Sequence, residues 1–128
     1  MVDTVTTPRL MSSTHEPVAV AATRIRRRLR TLLTAWGVRT ETGDDALLVV
    51  EELVANALDH ARSPFDVVVR LTDGVLYVAV RDGSTRPPRI RPFDPHAVRG
   101  RGLQLVATLS RGWGCEQHAD GKTVWAEL

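Results

Sequence analysis

The chain is poor in cysteine, in lysine and in aromatic residues, and each shortage closes off a class of explanation. Its single cysteine, Cys115, cannot form an internal disulfide, and a Cys₄ or Cys₂His₂ zinc site is excluded by number alone. Aromatic residues make up 5% of the chain and are not interleaved with basic ones. No nucleic-acid recognition motif accompanies them, so a pI near 9.3 gives little support to a nucleic-acid partner. No apolar run approaches the ~18 residues needed to span a bilayer. The N-terminal stretch MVDTVTTPRLMSSTHEP lacks the basic start and apolar block of a signal peptide, which makes the cytoplasm the expected compartment. Of seventeen cationic residues only Lys122 is lysine. The arginine excess fits codon bias in a GC-rich genome, or a choice of forked contacts to phosphate and carboxylate.

What is present reads as one globular domain. A chain of 128 residues with 43% hydrophobic and 25% charged residues has the composition of an ordinary packed protein. Residues 1–14 are small, polar and Thr-rich, and read as a flexible N-terminal arm ahead of a single domain over 15–128. From Pro17, the residues Val18, Val20, Ala21, Ile25, Leu29, Leu32, Leu33 and Trp36 recur at spacings of three and four, predicting a helix that ends at Gly37. Its other face carries Arg24, Arg26, Arg27, Arg28 and Arg30, either a solvated face or a docking surface for an acidic partner.

A second helix is predicted over 44–61, DDALLVVEELVANALDHA, with Asp44 or Asp45 as its cap. Two strand-like runs follow, 65–71 and 75–82, joined across Asp73-Gly74, a strong hairpin signal. Residues 83–101 hold four prolines and no apolar periodicity, and so predict a long irregular loop. A short helix over 103–110 and two closing strands, meeting at a turn at Asp120-Gly121, complete the chain. Helices before and between strands read as an α+β fold with helices layered on one face of a sheet.

Three short patterns could carry chemistry. In the second helix, Leu47, Val50, Val54, Ala57, Leu58 and Ala61 share one face. Glu52 and Asn56, four residues apart, lie on the opposite one, framed by Leu48 and Val49. A carboxamide oxygen can ligate magnesium, and a neighbouring carboxylate can orient or deprotonate a nucleophile. Asp82 ends a strand ahead of Gly83-Ser84, where its carboxylate could accept from an exocyclic amine. Arg99-Gly100-Arg101-Gly102-Leu103 opens a helix with two glycines, so backbone N–H groups can approach an anion. Each pattern alone is unspecific.

Their order is more telling. Glu-x-x-x-Asn on a helix, strand–Asp-x-Ser, a Pro-rich loop, Gly-x-Gly-Leu opening a helix and Gly-x-Thr entering a last strand resembles the GHKL ATPase superfamily of gyrase, heat-shock chaperone ATPases, histidine kinases and MutL. The likeness is to the small single-domain branch that includes bacterial anti-sigma-factor serine/threonine kinases. ELVANALDHA is similar to that branch's N box, VAVRDGS to its G1 box, GRGLQLV to its G2 box and GKTVWAEL to its ending, over residues 17–128.

The resemblance implies a two-layer α/β sandwich with a mixed, mainly antiparallel sheet, binding ATP and Mg²⁺. It makes Glu52 the general base, Asn56 the magnesium ligand and Asp82, with Ser84 beside it, the acceptor for the adenine amino group. Gly100 and Gly102 would wrap the phosphates, with Arg99, Arg101 and Leu103 alongside and residues 85–101 as the lid. Thr123 would support the adenine-side hydrogen bonds. The implied partner is a protein, a sigma factor or an antagonist that serves as kinase substrate; a homodimer is allowed, and neither nucleic acid nor membrane is expected as a direct partner. One departure stands out. Many relatives read Asp-x-Gly-x-Gly where this chain has Asp82-Gly83-Ser84-Thr85-Arg86, losing two glycines. The implied activity is therefore a protein kinase or, alternatively, a non-catalytic, nucleotide-responsive module that sequesters a transcription regulator.

Overall fold

The computed structural model describes residues 9–60, 62–86 and 102–128, apart from the His60 side chain. The elements run β1 (Arg9–His15), α1 (Val20–Ala35), α2 (Thr40–His60), β2 (Phe65–Thr72), β3 (Val75–Asp82), α3 (Gly102–Leu109), β4 (Gly112–His118) and β5 (Gly121–Glu127). The strands form one sheet in the order β1-β2-β3-β5-β4, with every neighbour antiparallel. The resemblance implies a mixed, mainly antiparallel sheet; among the described residues every pair is antiparallel. The α+β class is as expected, with α2 against β3 and flanked by α1 and α3.

Strand alternation sets the two faces. Val67 and Val69 of β2, Leu76, Val78 and Val80 of β3, and Val124 and Ala126 of β5 point into the helix layer and are almost wholly buried. From the helices, Ala21, Ile25, Leu29 and Leu33 of α1 form a stripe at four-residue spacing. Val18 and Val20, expected in that stripe, are exposed: Val18 precedes the helix and Val20 is its first residue. In α2 the buried residues are Ala46, Val49, Val50, Leu53, Val54 and Ala57, with Leu47 and Leu58 half-buried at the margin. The stripe is wider than one face predicts, because α2 packs on a sheet and two helices at once.

Two boundaries differ from expectation. Residues 9–14, read as part of an arm, belong to β1, which pairs with β2 from Arg9↔Leu71 to His15↔Phe65. Of its side chains only Met11 is buried. An edge strand with one deep apolar residue carries almost no periodic signal. Helix α2 starts at Thr40, a turn before the predicted Asp44 cap, with the Gly43 N–H bonded to the Arg39 carbonyl at 2.8 Å. The hairpin between β2 and β3 turns on Asp73 (φ 51°) and Gly74 (φ 76°), the left-handed pair that an Asp-Gly turn requires.

Candidate functional site

The helix layer brings the first and third patterns together. Glu52 and Asn56 are half-buried on α2, and α3 packs against α2 with Gly102 at its start. A Cβ placed on Gly102 would lie 3.3 Å from Glu52 Oε2. The missing side chain therefore lets the opening of α3 close onto the carboxylate. The Asn56 amide nitrogen is buried and has no hydrogen-bond partner among the described residues. Such a group costs of the order of 1–3 kcal/mol unless something satisfies it. A ligand oxygen would accept from it; turned about its last torsion, the same carboxamide offers its oxygen to a hard cation. Among the described residues no cluster of three or more His, Cys, Asp or Glu could hold a metal ion alone. A cation here would draw its remaining ligands from phosphate oxygens and water, as magnesium does.

At the other end, Asp82 closes β3 on the inner face. It is buried, and both its oxygens are engaged from within the protein. The Ser84 N–H donates to Oδ1 at 2.8 Å. The Lys122 ammonium of β5 donates to Oδ1 at 3.0 Å and to Oδ2 at 2.9 Å. Lys122 is wholly buried. The site residue missed in the sequence is this lysine. Its parity was the available signal: in Lys122-Thr123-Val124-Trp125-Ala126 the core residues Val124 and Ala126 alternate with it.

The two positions that lack the usual glycines are built differently. Ser84 is buried, its N–H bonded to Asp82 and its Oγ accepting from the Arg86 N–H at 3.2 Å. Two side-chain-to-backbone turns thus shape the segment that glycines would have left open. The neighbouring glycines are constrained by contact. A Cβ on Gly121 would fall 2.0 Å from the Asp82 carbonyl oxygen, and one on Gly83 2.6 Å from Ser63 Oγ. Gly121, expected in a turn, is a strand residue that lets β5 press against Asp82. The buried Ser63 hydroxyl, beside Gly83, is a second group with no partner among the described residues.

Thr123 is not brought to Asp82. It pairs with Arg81 on the opposite sheet face and bonds the His118 ring nitrogen at 2.9 Å. Asp82 therefore has Lys122, and not Thr123, across the ladder. Leu103 is buried in the core at the start of α3. Arg99, Gly100 and Arg101 lie outside the described residues, as does most of the 85–101 segment. His15 is held by Ser13 at 2.7 Å and meets the Phe65 ring in a tilted contact, centroids 5.6 Å apart. Burial pushes the Cys115 thiol above its usual value, in keeping with a packed, unreactive side chain.

Helices over one face of an antiparallel sheet, with a carboxylate–carboxamide pair on the central helix and an aspartate ending the central strand, define an ATPase-type sandwich. The histidine kinase-like ATPase domain matches residues 15–128, and the chain belongs to that family. No curated protein matches the chain. Among solved structures it is similar to the RsbU and RsbW domains of Rv1364c from Mycobacterium tuberculosis. The likeness has 22% identity and a TM-score of 0.71, covering 95% of this chain and 32% of that one. At that identity the likeness is one of fold. No helix among the described residues is long and apolar enough to cross a membrane.

Proposed function

We propose that the protein binds ATP with Mg²⁺ between α2 and the start of α3 and transfers the γ-phosphate to a serine or threonine of a partner protein, as an anti-sigma-factor-type kinase. The observation that carries this reading is the closure of Gly102 onto the Glu52 carboxylate, one helical turn from the Asn56 amide, which has no partner among the described residues. Asn56 would hold the cation, which would supply charge neutralisation at the phosphates and leave transfer to positioning. Glu52 orients the partner's hydroxyl and takes its proton as the oxygen bonds to the γ-phosphorus and ADP leaves. The partner is a sigma factor or its antagonist; the domain named RsbW in the similar structure supports that choice. The exposed arginines of α1 form the docking face, of which Arg26 already reaches Glu51 at 3.5 Å.

Calorimetric titration with ATP and magnesium is the first test, and no binding would sink the reading. Glu52→Ala should then abolish phosphate transfer to the partner while leaving nucleotide affinity nearly intact. A second reading, a module that sequesters its partner without chemistry, is favoured by one observation: Asp82 already has an internal cation. A stable partner that is never phosphorylated would decide for it.

A further inference from the structure

The chain's one lysine is placed where a cation is least expected. Its ammonium has no exposure and sits within 3.0 Å of both oxygens of a carboxylate whose side chain is 3% exposed. Gly121 is what permits the arrangement, since any side chain there would collide with the Asp82 backbone and hold β5 away. The position also suits lysine better than arginine: a compact ammonium can face both oxygens from within the core, where a planar guanidinium needs more room.

The consequence rests on the nucleotide reading above. A bare carboxylate selects adenine in two ways. It accepts from the exocyclic amine, and it repels the carbonyl oxygen that guanine carries at the same position. With Lys122 on both oxygens the charge is balanced and the repulsive element is removed. The carboxylate still has acceptor capacity for an N–H of either purine. An adenine amine must share oxygens that are already bonded to Lys122 and Ser84. We infer that Lys122 determines base selectivity at this site, relaxing the preference for adenine over guanine so that affinity is carried by the phosphate end, at Glu52, Asn56 and Gly102.

The test is calorimetric titration of ATP and of GTP, each with magnesium, into the full chain and into Lys122→Thr. Threonine suits a strand and leaves Asp82 without its cation. The wild-type protein should bind the two nucleotides with Kd values within about tenfold, since the element that discriminates against guanine is absent. Lys122→Thr should prefer ATP by about a hundredfold or more, as a site with an unshared buried acceptor rejects the base that cannot satisfy it. A wild-type preference for ATP of about a hundredfold overturns the inference without recourse to any variant, so it stays testable if Lys122→Thr does not fold. An unchanged ratio in a folded Lys122→Thr overturns it as well. Both of these leave nucleotide binding standing; if neither ATP nor GTP binds the wild-type protein, the nucleotide reading is overturned, and this inference with it.

Discussion

Two ion pairs built on neighbouring residues of β3 face opposite ways. Asp82 and Lys122 meet on the inner face at 2.9 Å, with side chains 3% and 0% exposed. Arg81, next along β3, reaches Asp120 on the outer side at 3.2 Å, with side chains 49% and 79% exposed. The charges and lengths are alike; the solvent is not. Water screens the outer pair and solvates each partner when the other is lost, so it is worth about 0–1 kcal/mol. The inner pair gains little net stability, because two desolvated ions offset their own attraction, but neither can be removed alone. A close charge pair can therefore be incidental on one side of a strand and obligatory on the other.

Breaking the inner pair is the largest effect expected. Lys122→Met or Asp82→Asn alone should lower the unfolding free energy by about 3–5 kcal/mol, because each leaves a buried polar partner uncompensated. The double variant Asp82→Asn/Lys122→Met should recover roughly half or more of the summed loss, the sign of direct coupling. Urea denaturation of the four proteins measures this. Additive losses would mean that the two side chains do not act as a pair.

The same contrast explains what could be read from the residues in advance. The Glu52–Asn56 spacing, the Asp73-Gly74 turn and the α1 stripe are local features whose geometry follows from helix and hairpin periods. They reappear in the structure with shifts of only a few residues. Which side of the sheet Thr123 faces is equally local, yet the family-like pattern Gly-x-Thr drew attention to the hydroxyl and away from the parity that sends Lys122 inward. Strand β1 was illegible for another reason. Its pairing with β2 is specified across some fifty residues, and its own sequence contributes one buried side chain. The early start of α2 depends on tertiary packing too, with Gly43 buried beside Leu33 and Val38.

The outer pair supplies the control. Arg81→Ala and Asp120→Ala should each change stability by no more than about 0.5 kcal/mol, and raising the salt concentration should shrink even that. Measured by the same urea titration, a loss of several kcal/mol in Arg81→Ala would erase the distinction between the faces.

His15 offers a third degree of burial, at the far edge of the sheet, and the smallest effect. Its ring is held below its ordinary value of 6.5 first by burial, then by the Arg28 and Arg24 charges, with Asp66 opposing them. The folded chain therefore binds fewer protons than the unfolded chain just below pH 6.5. Stability should rise with pH across that window and level off above it. On acidification the contribution falls away as the pH drops through the folded-state value, where both forms are protonated. His15→Asn should flatten this part of the profile of thermal midpoint against pH while leaving the slope near neutrality unchanged. An unaltered acid limb in the variant would show that burial at this edge is too slight to impose a charge penalty, confining such penalties to the inner face around Asp82 and Lys122.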